Sequence, residues 1–323
     1  MATVIPLFPV CAPQRVSPAS LEAFARTWFD DASVGWRSTT VSGVHSILAC
    51  HVLPVLRGVP IEGFGRAEVL AFRTRLARQP MADGKERSPA RVNLVLQTLA
   101  RILAERERQF GIANPCEELR RLPTRRIPVQ PFTLPELRQL VSVAPGHLKE
   151  YVWIRGLSGL RSGEANGLKW DCVNLEAGTI EIREARVCGG DALPKNEFSE
   201  RTIALIPSAR EAFMRQYALT GALRGYVFVT PRGYPLDTRN FARRDWGRML
   251  ASAGLKARAP EQLRHTAATL LLAAGEAPTY VARLLGHSDC RMLLSTYARY
   301  MPNALGRTDG LALQRALDKD PIA

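Results

Sequence analysis

Apolar positions along the chain fall mostly on the 3.6-residue period of amphipathic helices, with Pro, Gly and Ser punctuating the segments between them. Ser17-Pro18 supplies a helix start, Ser as N-cap and Pro at the first helical position, ahead of LEAFARTWF. A second helix is expected from Ser38 to His51, stopping before Pro54, and a third from about Arg66 to Arg78. Ser88-Pro89 repeats the start signal and opens a long helix through Arg108. Val92, Leu96, Leu99, Ile102 and Leu103 form its apolar stripe, which a bundle core explains, while Arg91, Arg101 and Arg108 are expected in solvent.

The clearest seam is LPTRRIPVQP, Leu122 to Pro131, where proline blocks both helix and central strand. Beyond it, Thr133 and Glu136 form a capping box before LRQLVSVA. Strands are expected at TIEIREARV (179–187) and RTIALI (201–206), separated by GGDALPKNEFSE. A second capping box, Ser208 to Glu211, is expected to start the next helix. Helices follow at 238–253, 261–274, 277–285 and 288–297, with a last amphipathic segment near 305–318. The pattern predicts a mainly α fold with a small antiparallel sheet, of the α+β class. It divides into a helical lobe, 17–123, a linker, 124–131, and a second lobe, 132–323.

Composition narrows the partner. Of 323 residues, 44 are Lys or Arg and 30 Asp or Glu, a net charge of +14, which favours a polyanion. Both lobes carry a basic surplus, which suits two lobes on one duplex. No apolar run approaches the roughly 18 residues of a spanning helix, so no membrane partner is expected. The N-terminal MATVIPLFPVCAPQR lacks a charged start and makes a poor signal peptide. Cysteines 11, 50, 116, 172, 188 and 290 show no CxxC or Cys/His pairing, which points to reduced thiols, a cytoplasmic protein and no metal. Neither G-x-x-x-x-G-K-[ST] nor a dinucleotide fingerprint occurs. Asp30-Asp31 and Glu117-Glu118 read as exposed charges, not a two-metal site, and no cofactor is expected.

Four segments carry candidate chemistry: SGLRSGEANGLKW (158–170), LPKNEFSER (193–201), PEQLRHTAATLLLAAG (260–275) and LLGHSDCRMLLSTYARY (284–300). Each is weak alone. Their order of Arg, Lys, Arg, His and Tyr resembles the tyrosine recombinase (phage integrase) family, with its G-L-R-x-x-E, hairpin Lys, L-R-H-T, L-G-H and Tyr. Residues 17–123 also resemble that family's helical core-binding domain, so the likeness covers nearly the whole chain.

The residue types suit attack on a phosphodiester, whose pentacoordinate state gathers negative charge that two guanidinium groups can bind. By resemblance, Arg161 and Arg264 are those clamps; as ordinary arginines they would be surface or ion-paired, with Glu164 available to Arg161. Lys195 would protonate the departing sugar oxygen, or else be a solvated turn lysine. His287 would hydrogen-bond the phosphate, or else cap a helix after Gly286. His265 reads as a packing residue that orients Arg264. Tyr297 is the nucleophile, favoured over Tyr300 by its Ser-Thr-Tyr-Ala-Arg context, and a cationic cluster is expected to favour its phenolate. Glu261 departs from the family, which most often has His there; at a helix start it suits the macrodipole and is expected to turn from the phosphate.

The resemblance implies a site-specific recombinase acting through a 3′-phosphotyrosyl link, with four protomers on two double-stranded DNA recombination sites. It also implies a tail helix, Leu305 to Leu317, docked on a neighbouring protomer, and allows an accessory DNA-bending protein. Sixteen residues before the first helix are too few for a further DNA-binding arm. A relaxing topoisomerase and a DNA-binding relative without catalysis stay open as alternatives.

Overall fold

The structure, a computed structural model, describes residues 20–80, 84, 86–125, 128–187, 189–192, 200–223, 225–301 and 318. Lys195, Ser17-Pro18 and the tail segment 305–317 lie outside them. The chain divides into two compact units, Met1–Arg126 and Ile127–Ala323, at a point within the proline-rich stretch.

The first unit is helical. Helix α1 (Leu21–Ser33) starts from Ser20, whose hydroxyl accepts from Ala23 N–H, so the cap falls later than Ser17. Helix α2 (Ser38–Leu56) runs through Pro54 instead of stopping before it. The run widens into a π-turn over Leu48–Val52 and resumes at Leu53–Leu56, with the proline in the first turn of the new segment, where its missing N–H costs least. Helix α2 is also long and apolar enough to cross a membrane by length and composition, unlike the sequence expectation. One of its faces, with Val44, Ile47, Leu48, Val52 and Leu56, is buried in the unit's core, whereas Ser42, His45 and Ser46 are exposed. Helix α3 spans Arg66–Arg78. Helix α4 (Pro89–Phe110) is capped by Ser88 and ended by the left-handed Gly111, and its predicted stripe is buried throughout. Arg101 and Arg108 are exposed, as expected, and Arg91 is half-buried; the Arg101 guanidinium also lies 5.4 Å from the Trp28 ring and 4.7 Å from the Trp36 ring.

The second unit is α+β. Helix α5 (Leu134–Ser142) forms the expected capping box between Thr133 and Glu136. Helix α6 (Gly146–Ser158), which periodicity does not single out, is its central element, burying Leu148, Tyr151, Val152, Ile154 and Arg155. A short helix, α7 (Ser162–Gly167), follows. The antiparallel sheet has the order β1 (Val173–Asn174), β2 (Thr179–Ile182), β5 (Arg201–Ala204), with Ile180 opposite Ile203 and Ile182 opposite Arg201. A separate two-stranded ladder, β3 (Ala185–Val187) and β4 (Gly190–Ala192), lies in sequence between β2 and β5. The two long strands expected from sequence are therefore shorter, and Lys195 falls in sequence between β4 and β5, outside the described residues.

Helix α8 (Pro207–Thr220) begins at Pro207 after Ile206, so Ser208 sits inside the first turn and the second capping box does not form. A continuous helical run over 238–252, α9, contains a π-turn at Phe241–Trp246. Helices α10 (Gln262–Ala273), α11 (Pro278–Leu285) and α12 (Cys290–Tyr297) complete the unit. Leu263, Leu272, Val281, Leu285 and Leu293 bring these last three helices into one core with α6 and the sheet.

Candidate active site

The site is built where α10 and α11 meet the end of α6. Helix α6 stops at Gly159, whose φ of +68° only glycine adopts without strain; a Cβ there would also lie 2.6 Å from Leu285. Helix α11 stops at Gly286 with φ +65°. Both glycine turns leave main-chain carbonyls facing inward, and arginines fill them. Arg264, on the buried face of α10 and 5% exposed, donates to Gly159 O at 2.7 Å and to Leu285 O at 2.5 Å. Arg161, just after Gly159, donates to Gly286 O at 3.3 Å. The αL turn at Gly286 brings His287 round so that its Nε2 lies 3.3 Å from an Arg264 nitrogen. The two readings of His287, capping residue and site residue, thus describe the same geometry.

Glu164 ties the cluster down. Its carboxylate accepts from the Arg161 N–H at 2.9 Å, from the Arg161 guanidinium at 2.7 Å, and from two Arg201 nitrogens at 3.1 and 3.0 Å. Burial alone would raise its pKa, but the Arg201 hydrogen bonds and the two positive charges hold it down to about 2. Arg201 also donates to Leu284 O at 2.8 Å. Sequence reasoning passed over Arg201, although it closes the quoted run LPKNEFSER. The missed signal is strand period: Arg201 and Ile203 share one face of β5, and that face is inward. Arg155 was missed too. Fully buried, it donates to Ser162 Oγ at 2.9 Å and to Leu160 O at 3.5 Å, bracing the turn that carries Arg161.

Electrostatically, one buried carboxylate faces three arginines. Burial first, then Arg161, lowers Arg264 to about 10, so it remains charged at neutral pH. Burial, then Arg264 and Arg161, pushes His287 down to about 4, so its imidazole is neutral. Because Nε2 must accept from Arg264, the proton sits on Nδ1, which is buried without a partner. Among the described residues the arginines outnumber the carboxylates that touch them, an arrangement suited to receiving an anion.

Tyr297 ends α12, 3% exposed, with its hydroxyl 2.5 Å from His265 Nδ1. The expected phenolate does not form at rest: burial raises the hydroxyl to about 12, outweighing the opposing effect of Arg264, with Glu261 and Tyr300 adding to the rise. Tyr300 lies in the following 3-10 turn, its ring under the Arg299 guanidinium, and takes no part in the cluster. Glu261 precedes α10 with its carboxylate 3.9 Å from Arg155. Among the described residues, no group of His, Cys, Asp and Glu has the arrangement of a metal site.

The strands that precede Lys195 are anchored by charge. Lys169 lies 2.6 Å from Glu184 and 3.2 Å from Asp191, and Asp191 accepts from Tyr226 at 2.7 Å and Arg186 at 2.9 Å. These bonds pin the β3–β4 ladder to the body of the unit.

A fold of this kind, with a paired-arginine cluster beside a helix-end tyrosine, defines the tyrosine recombinases. Residues 133–303 match the phage integrase family, and the chain belongs to that family. Prophage integrase IntR of Escherichia coli (strain K12) is 25% identical over 279 residues, covering 76% of this chain and 68% of IntR. Among solved structures, the Tn1549 transposon integrase in complex with a circular intermediate DNA gives a TM-score of 0.75 at 18% identity, covering 93% of this chain and 99% of that one. A lambda integrase tetramer bound to a Holliday junction gives 0.67 at 17%, covering 90% and 79%. At such identities these structures establish the fold.

Proposed function

We propose that the protein is a site-specific recombinase that cleaves and rejoins double-stranded DNA through a 3′-phosphotyrosyl link at Tyr297. The observation that carries this reading is the convergence of Arg161, Arg264 and His287 around one point, with the Tyr297 hydroxyl bonded to the residue next to Arg264. Arg161 and Arg264 hold the non-bridging oxygens of the scissile phosphate; as Arg264 turns its N–H groups to that anion it releases His287 Nε2, and the ring, with its proton moved to Nε2, donates to the same group. Tyr297 attacks phosphorus as the bond to the 5′ oxygen breaks, and Lys195 protonates that oxygen. The phosphotyrosyl ester keeps the energy of the broken bond, so a 5′-hydroxyl of the partner duplex can reverse the step without ATP. The likeness to a lambda integrase tetramer bound to a Holliday junction supports a homo-tetramer on two recombination sites.

Nicked suicide duplexes cut from the DNA flanking the coding sequence test this. The wild-type chain should form a denaturation-resistant adduct and Tyr297→Phe none. Adduct formation by Tyr297→Phe moves the nucleophile elsewhere. A wild-type chain that binds a duplex and never links to it supports the second reading, a DNA-binding relative without catalysis, which Glu261 favours.

A further inference from the structure

Resting on that reading of Tyr297, we infer that His265 is the general base of the cleavage step, accepting the Tyr297 phenolic proton on Nδ1. The argument starts from what touches the hydroxyl. Among the described residues, His265 Nδ1 is the hydrogen-bond partner of Tyr297 Oη, at 2.5 Å, with the rings 5.7 Å apart and tilted by 49°. Two other groups compete for the role. The Glu261 carboxylate lies by Arg155 and acts on Tyr297 only through its charge, which opposes ionisation. His287 has its Nε2 on Arg264 and its Nδ1 buried, so neither nitrogen is available to the phenol.

His265 also has the right charge state. Burial, then the neighbouring Arg264, lowers its pKa, so its ring is neutral at pH 7 and free to accept. Tyr297, held protonated by burial, needs such an acceptor, because a phenol near pKa 12 supplies almost no phenolate by itself. In the step, the phenolic O–H bond breaks and its proton passes to Nδ1. The oxygen's electron pair forms the bond to phosphorus, and the bond from phosphorus to the 5′ oxygen breaks with its pair on that oxygen. The imidazolium left beside Arg264 is balanced by the negative charge of the five-coordinate phosphate, and on rejoining it returns the proton to Tyr297. Helix geometry makes the pairing possible: Arg264 and His265 are consecutive on α10, about 100° apart around its axis, so one segment supplies the phosphate clamp and the base together.

His265→Asn tests it. The Asn carbonyl keeps an acceptor near the Nδ1 position but cannot take up a proton, so the variant separates proton transfer from positioning. On the duplex that the wild type cleaves, single-turnover adduct formation should slow by about 10²-fold or more at pH 7, with DNA affinity unchanged. The wild-type rate should fall as pH drops through the imidazole's titration, and that acid limb should vanish in His265→Asn. A rate within a few-fold of wild type, with the same acid limb, overturns the inference while leaving Tyr297 as nucleophile; absence of any wild-type adduct sinks the underlying reading instead. A measurement on the unsubstituted chain guards against misfolding of the variant. Nitrogen-15 histidine spectra should show His265 protonated on Nε2 and bare on Nδ1, and a proton on Nδ1 overturns the proposal.

Discussion

Each unit buries arginine on its helices, and two of these residues, Arg106 and Arg264, are treated differently. Arg106, 1% exposed on α4, donates to Ile61 O, Phe64 O and Ala113 O, stitching two loops to the helix. Burial lowers its pKa, and the charges that bear on it, Cys116, Glu107 and Glu62, all favour the cation. Arg264 also binds carbonyls, but the charges on it are mixed: Arg161 and Arg201 oppose its cation, while Glu164 and Glu261 favour it. The first arginine spends both ends of its fork on carbonyls of its own unit and leaves only a buried Nε without a partner. The second is held in place by its fold but left with a charge that an incoming anion must answer.

The sharpest way to break that contrast is a matched pair of lysine substitutions. Arg264→Lys keeps a charge but loses the planar fork and its bonds to Gly159 O and Leu285 O; adduct formation per folded molecule should fall by about 10²–10³-fold, beside a stability loss of about 2 kcal/mol. Arg106→Lys should leave the rate per folded molecule unchanged and lower stability by about 2 kcal/mol, as buried carbonyls lose donors. Suicide-substrate rates and urea unfolding of the full chain read both. If Arg106→Lys also lowers the adduct rate per folded molecule, or Arg264→Lys lowers stability alone, the distinction between the two arginines is lost.

Next in size is the pH response of Glu164. Its folded pKa of about 2 lies below the ordinary 4.5, so its contribution is present in full above about pH 4.5 and lost as pH falls toward 2. The shift corresponds to about 3 kcal/mol. Glu164→Gln should remove that acid-dependent part of the unfolding free energy, and an unchanged pH slope would mean that Arg201 and Arg161 are satisfied without it. The smallest effect is expected at Arg101→Ala, about 1 kcal/mol from loss of the stack on Trp28 and Trp36, read by urea unfolding with adduct chemistry unaltered.

What could be read in advance divides by the range of the interactions. Helix α3, the stripe on α4 and the Thr133 capping box depend on neighbours within a turn or two and are legible in the string of residues. Helix α6 is not: its buried Leu148, Tyr151, Val152, Ile154 and Arg155 lie on more than one face, so no single stripe marks it. The three-residue strands β3 and β4 are too short to show alternation. Pro54 signals a stop, but a π-turn upstream absorbs it. At the site, the ordered motifs give Arg161, Arg264, His287 and Tyr297. The bond between His265 and Tyr297 spans 32 positions and exists only once α12 folds back on α10, so a residue read as packing turns out to touch Tyr297. The phenol's high pKa is hidden for the same reason, since charge can be counted in a sequence and depth cannot.

The two left-handed glycine corners bear on how such a protein ages. The side chains of Arg264 and Arg161 are gripped by peptide oxygens at Gly159, Leu285 and Gly286, groups that every amino acid carries. Drift in the surrounding side chains therefore leaves the grip untouched so long as the chain can still turn at 159 and 286.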